Sequence, residues 1–248
     1  MTGFKDVVGR KDLVSYIQKA VTQKQISHAY ILNGERGSGK KMFAQLFAMT
    51  LQCEKHGVEP CMECPSCKKA QSQNHPDIIY VKHEKPNTIS IDEIREQLIN
   101  DVMIKPYSSP YKIYIIDEAQ KLTLQAQNAL LKTIEEPPAY AVVMLLADNP
   151  DALLPTISSR CVQLNLKPVG DQLVKDYLMN EMHVPDYQAE VDASLAQGNI
   201  GKAERIARSP EYEETLESAL RMAKYADSMP LYEIVETIKK LNGRKRQY

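Results

Sequence analysis

The chain has 248 residues, 43% of them apolar and 25% charged, a balance that belongs to ordinary globular proteins and excludes disordered and fibrous classes. That length allows one large domain or two smaller ones, each with its own core. With 31 basic and 32 acidic residues the net charge is −1, so no global positive field advertises nucleic acid, and any DNA contact must be local or shared with partners.

In chain order, HAYILNG (28–34) reads as a buried strand that runs into the glycine loop GERGSGKK (34–41). KKMFAQLFAMTLQC follows as a helix, with Met42, Phe43, Leu46 and Phe47 at helical spacing. DIIYVKHE (77–84) is a second strand, and Ser90 with Glu93 has the pattern of a capping box opening the helix IDEIREQLINDVM. KIYIIDEA (112–119) is a third strand; the helix TLQAQNALLKTIEE after it is stopped by Pro137 and Pro138. The fourth strand, in AVVMLLADNP, contains the longest apolar run, Ala141 to Ala147. That run is far too short to span a bilayer, and MTGFKDVV at the start has no apolar signal region, so the expected location is the cytoplasm, with no membrane contact. A short helix near LLPTISS leads to a fifth strand, CVQLNL (161–166).

Strands alternating with helices predict an α/β fold, a five-stranded parallel sheet with helices on both faces. After Pro168 the pattern changes: residues 170–248 offer no convincing strand and several amphipathic helical stretches, so KPVG marks the boundary. A first helical piece, to about 208, is separated from a second, 209–248, by Ser209-Pro210. The second piece ends on a basic tail and has little to make a core alone. The expected division is 1–167, with a cysteine insert at about 53–75, then 168–208, then 209–248.

The glycine loop fits G-x-x-x-x-G-K-[ST] through Gly34, Gly39 and Lys40, with Gly37 inside it, and departs from it at Lys41. It follows a strand and opens a helix, which would put backbone N–H groups and the positive helix end where phosphates sit; the plain alternative is a glycine-rich turn. Asp117 and Glu118 lie at the C-terminal end of a buried strand, where α/β sheets bind ligands. Asp117 would hold Mg²⁺ and its waters and Glu118 would polarise an attacking water, unless the pair is a solvated turn. Lys41 conflicts with this, because an ammonium has no lone pair for a hard cation and repels it. Hydrolysis is therefore expected to be lost, or ATP/Mg²⁺ binding weak or absent.

The five cysteines of a chain expected in the cytoplasm argue against a disulfide framework. Cys53, Cys61, Cys64 and Cys67 are spaced C-x₇-C-x₂-C-x₂-C, which can close a tetrahedral structural Zn²⁺ site. An iron–sulfur cluster and free thiols are the alternatives. Cys161 belongs to another motif, and His56, His75 and His83 read as surface residues, not ligands.

Together the motifs FKDVVGR, SHAYILNGERGSGK, the four-cysteine insert, NHPDI, YKIYIIDEAQKLTLQAQNALLKTIEEPP and LLPTISSRC resemble the clamp-loader branch of the AAA+ ATPases. They stand in the order seen in bacterial DNA polymerase III clamp-loader subunits, over about residues 4–208; NALLKTIEEPP and SSRC are the most specific. The resemblance implies a RecA-like AAA+ P-loop domain, a small helical lid (168–208) and a helical collar that holds a pentameric ring, of which 209–248 would be only the start. It implies a hetero-pentamer with gamma/tau and delta subunits, a sliding clamp, and primer-template DNA reached through the assembled complex. The degenerate loop suits the stator, delta-prime-like kind of subunit; the intact Asp117-Glu118 pair keeps the gamma/tau motor kind as the alternative. A self-contained P-loop phosphotransferase would leave SSRC without a purpose. By the same resemblance Asp148 or Asn149 would stand at the sensor-1 position and Lys202 near sensor 2. Arg160 would be a finger acting in trans at a neighbour's ATP site, its plain alternative being a cap on the short helix before it.

Overall fold

The computed structural model describes residues 7–209, with Gly3, Phe4 and the isolated positions Lys224, Pro230 and Val235. The expected partial collar from residue 210 onward otherwise lies outside the described residues. Five strands, β1 (Ala29–Asn33), β2 (Ile78–Val81), β3 (Lys112–Ile116), β4 (Ala141–Ala147) and β5 (Val162–Asn165), form one sheet in the order β2-β3-β4-β1-β5, all parallel. Helices α1 (Lys11–Thr22), α2 (Lys40–Gln52), α3 (Pro65–Gln71), α4 (Ile91–Ile94), α5 (Leu124–Glu135) and α6 (Pro155–Ser158) accompany it. Three more, α7 (Asp171–Met182), α8 (Asp186–Ala196) and α9 (Ile200–Arg208), follow the last strand.

Because helices cover both faces, the central strands are apolar along their whole length: every residue of β3 and β4 is buried. Alternate residues of β1 serve opposite layers, Tyr30 and Leu32 one core and Ala29 and Ile31 the other. In the first layer the Tyr30 ring meets Phe47 of α2 edge-on at 5.0 Å. Phe47 is fully covered, so truncating it to alanine costs about 3–5 kcal/mol. The α7–α9 group has a separate cluster around Val174, Leu178, Ala193 and Ile206.

Two local features differ from the expected elements. The helix opened by the capping box, in which Glu93 N–H donates to Ser90 Oγ and Ser90 N–H to Glu93 Oε2, continues past α4 as a π turn over Arg95–Ile99. There Asn100 N–H donates to Arg95 O, and Gln97 bonds both the N–H and the carbonyl of Lys82, covering the edge beyond β2 with a side chain. Helix α1, which the sequence reading does not single out, buries Ile17 and Ala20. Just before it, buried Arg10 donates to Lys167 O and Ser38 O at 2.7 Å each, tying the chain start to the glycine loop and to the end of the sheet domain.

Candidate functional site

Strand β1 sits where the chain order of the sheet reverses, between β4 and β5, and the crevice at the strands' C-terminal ends is the ligand position of open α/β sheets. Into it β1 delivers the loop 34–39. Gly37 and Gly39 have φ of 88° and 90°, which turn the loop back to open α2 with Lys40 as its first residue. Lys40 is 7% exposed, and its Nζ donates to Gly34 O (2.6 Å), Glu35 O (3.0 Å) and Asp148 Oδ1 (2.6 Å). The loop lysine is thus folded against its own loop and paired with the acid at the end of β4.

A cavity of about 420 Å³ beside the loop is lined by Arg36, Gly37, Gly39, Lys40, Lys41, Met42, Asp117, Glu118 and Asp148. A second, of about 170 Å³, shares Gly37, Gly39 and Met42 and continues between Val7, Val8, Phe43, Tyr177 and Ile200. The first is charged and the second largely apolar, the division a nucleotide needs for phosphates and base.

Each acid in the charged cavity has a lysine partner. Asp148 takes Lys40; Asp117 Oδ2 lies 3.6 Å from Lys41 Nζ; Glu118 Oε2 lies 2.6 Å from Lys121 Nζ and 3.7 Å from His83 Nε2. Glu118 is in the left-handed region (φ 52°), a single strained residue that aims its side chain at Lys121 and not along the strand. Lys41 is 57% exposed, and a solvated pair at that distance is worth under about 1 kcal/mol. The Lys41 ammonium therefore reaches Asp117 without being locked to it.

Of the other expected residues, Asn149 is used locally, its Oδ1 accepting Asp151 N–H at the start of a 3₁₀ turn. Lys202 lines neither cavity. Helix α9 and the residue before it meet the loop at positions not expected from the sequence. Gly201 N–H donates to Gly37 O, and Asn199 bonds Glu35 Oε2 and Arg36 O. A Cβ at Gly201 would fall 2.7 Å from Gly37 O, so the two glycines are a backbone-to-backbone fit. The signal was the G-N-I-G run, whose second glycine a helix interior does not favour.

Arg160 stands apart from both cavities. Its Nη1 donates to Thr156 O and Ser159 Oγ, and its Nε lies 3.1 Å from Glu135 Oε1. Those contacts are the helix-cap geometry, yet the side chain is 43% exposed.

At the far end of α2, the Sγ atoms of Cys53, Cys61, Cys64 and Cys67 all lie within 4.8 Å of one another. Zn–S bonds of about 2.3 Å in a tetrahedron put sulfurs about 3.8 Å apart, so the four can hold a metal ion with small adjustments. Backbone N–H groups of Cys61, Cys64 and Cys67 donate to the sulfurs of Cys53, Cys61 and Cys64, each at 3.4 Å, which stabilises thiolate. Backbone N–H groups of Glu63 and Cys64 draw the Cys61 thiol down to about 6, while burial pushes Cys53 and Cys67 up. A cation among the sulfurs would offset that burial penalty.

The expectation that His75 lies at the surface is wrong: it is 4% exposed. Its Nδ1 accepts Asp77 N–H, so the neutral ring carries its proton on Nε2, which faces Ser66 Oγ (3.1 Å) and Ser109 Oγ (3.3 Å). Burial lowers its pKa, keeping the ring neutral. Asp77 is also buried and accepts the N–H groups of Tyr107 and Ser108, so the N-H-P-D-I motif joins the cysteine module to the loop before β3. His56 is exposed and His83 half-buried; neither belongs to the sulfur cluster.

A family profile described as DNA polymerase III, delta subunit, matches residues 9–170. The chain is 36% identical over 206 residues to DNA polymerase III subunit tau of Bacillus subtilis (strain 168), covering 81% of this chain and 36% of that protein. It is 32% identical over 211 residues to subunit delta′ of the same organism, covering 85% and 63%. The chain therefore spans about a third and under two thirds of the lengths of these relatives. The RuvB Holliday junction branch migration motor of Thermotoga maritima superposes with a TM-score of 0.56 at 17% identity, over 98% of this chain and 72% of that one. At that identity the likeness speaks for the fold, a RecA-like P-loop architecture. Among the described residues no helix is long and apolar enough to cross a membrane. With the sheet order, the loop and the family match in agreement, the chain belongs to the DNA polymerase III delta-subunit family, the clamp-loader branch of the AAA+ proteins.

Proposed function

We propose that this chain is the stator, delta-prime-like subunit of a DNA polymerase III clamp loader, contributing to ATP-dependent loading of a sliding clamp onto primed DNA. In this reading it works in the cytoplasm in a hetero-pentamer with gamma/tau and delta subunits. Residues 1–167 are the AAA+ core, 168–208 the lid. The observation that carries the reading is Lys41: an ammonium in the place of the hydroxyl that would ligand Mg²⁺, reaching the carboxylate of Asp117. A site so arranged is poorly suited to phosphoryl transfer, which depends on a metal bridging the β- and γ-oxygens. Asp148 beside the phosphates would repel a γ-phosphate if Lys40 left it.

Arg160 then acts on a neighbour. Its guanidinium stays charged and bridges two oxygens, and its exposure leaves it free to exchange Thr156 O and Glu135 for a phosphate presented across an interface. Loss of hydrolysis in cis and retention of an arginine for use in trans are compatible in one subunit. Structural Zn²⁺ held by Cys53, Cys61, Cys64 and Cys67 would cross-link the module after α2, as its four-sulfur donor set suits a closed site.

The motor reading has its own support, since identity to tau exceeds identity to delta′ in the same organism and Asp117 and Glu118 are both present. Steady-state ATP hydrolysis separates the two. With Mg²⁺ and primed DNA the isolated chain should show no turnover above background; a rate comparable to a motor subunit assayed alongside assigns it to the gamma/tau kind.

A further inference from the structure

The charged cavity does not suit the metal that phosphate loops ordinarily use. Mg²⁺ there takes a neutral hydroxyl oxygen from the residue after the loop lysine and is held by an acid at a neighbouring strand end. Asp117 could supply the carboxylate, but position 41 supplies an ammonium 3.6 Å from it. That group offers no lone pair and repels a divalent cation. The misfit carries a positive consequence as well.

We propose that this cavity binds the phosphates of a nucleoside di- or triphosphate without a divalent cation, the Lys41 ammonium serving as the built-in counter-charge. This rests on the nucleotide-site reading of the loop, and goes beyond it in naming the ligand's metal-free form. The ammonium already lies at the acid that would attract the metal, and its exposed, weakly held position lets it turn to a phosphate oxygen. The remaining acids do not oppose an anion, because Lys40 holds Asp148 and Lys121 holds Glu118, each at 2.6 Å. Loop N–H groups at the start of α2 favour negative charge, and the adjoining apolar cavity offers room beside them.

The sign of the magnesium response is the signature. Solution Mg²⁺ chelates the same phosphate oxygens, so a site that takes the bare anion must strip the metal first. Calorimetric titration of the full chain with ADP, in EDTA and in excess Mg²⁺, should give binding in EDTA that Mg²⁺ leaves unchanged or weakens. Lys41→Thr should reverse the sign, with Mg²⁺ tightening ADP by roughly tenfold or more. Lys41→Met should lose roughly tenfold in EDTA, the scale of one charge-assisted hydrogen bond, and gain no magnesium response. Circular dichroism confirms that each variant is folded. Two results overturn the proposal: tenfold tighter ADP binding with Mg²⁺ in the unmodified chain, or no ADP binding in either buffer. The stator reading has its own separate test, ATP turnover, so the failure of one can be told from the failure of the other.

Discussion

The two ends of α2 pose the same physical problem and solve it differently. At its N-terminus, Asp117, Glu118 and Asp148 face a cavity where a cation would serve, and Lys41, Lys121 and Lys40 supply the positive charge from the chain itself. At its C-terminus, four sulfurs converge within 4.8 Å, take three backbone N–H groups, and could hold a metal ion. One centre is neutralised internally and the other could take an external cation. The first should therefore tolerate loss of metal and the second should not.

The largest expected effect tests the second half of that contrast. Cys67→Ala, or a strong chelator, should abolish metal binding at the module, because structural zinc sites contribute on the order of 10 kcal/mol to local folding. Elemental analysis should fall from one zinc per chain to none, and hydrogen exchange should rise over residues 53–75 while the β-strands stay protected. Iron in place of zinc, or an unchanged exchange map, contradicts it.

The next effect falls on the internally neutralised end. Lys40→Met removes an ammonium with three acceptors and leaves Asp148 unpaired, which should cost about 1.5–3 kcal/mol in denaturant unfolding. Gly201→Ala should cost about 1–3 kcal/mol, since the new methyl must displace the Gly37 carbonyl and so parts α9 from the loop. Its readout is faster exchange at both Gly37 and Gly201, which a purely local helix effect would not give. The smallest effect is Lys41→Met, expected to shift stability by less than about 0.5 kcal/mol because the pair it breaks is solvated. A larger loss would mean that Lys41 is a structural residue and would weaken its reading as a ligand group.

Much of the sheet was legible because buried parallel strands are continuous apolar runs, and β1, β3 and β4 needed only their ends trimmed by one to three residues. The cysteine set was legible because its ligands are close in sequence. What remained hidden depends on distant residues. The pairing of Lys40 with Asp148 spans 108 positions, and the Gly37–Gly201 contact joins the loop to a helix on the far side of the chain. His75 looked exposed because polar residues flank it, but three hydrogen-bonding groups from separate segments surround its ring. The left-handed turn at Glu118 has no composition cue, although Lys121 three residues on is the partner a tight turn would offer. Helix α1 was readable, with Leu13, Val14, Ile17 and Val21 on one side, and is the plainest omission.

The central claim is that this subunit lacks its own hydrolysis but supplies an arginine to a neighbour, and reconstitution with Arg160→Ala tests it most directly. Folding, zinc content and assembly should match the parent, because the residue's own contacts are exposed and worth at most about 1 kcal/mol. DNA- and clamp-stimulated ATP hydrolysis at the adjoining motor subunit should fall by roughly 10³ or more, the scale of an arginine finger. Parental rates of hydrolysis and clamp loading with the alanine variant would contradict the account and leave Arg160 as the cap of α6.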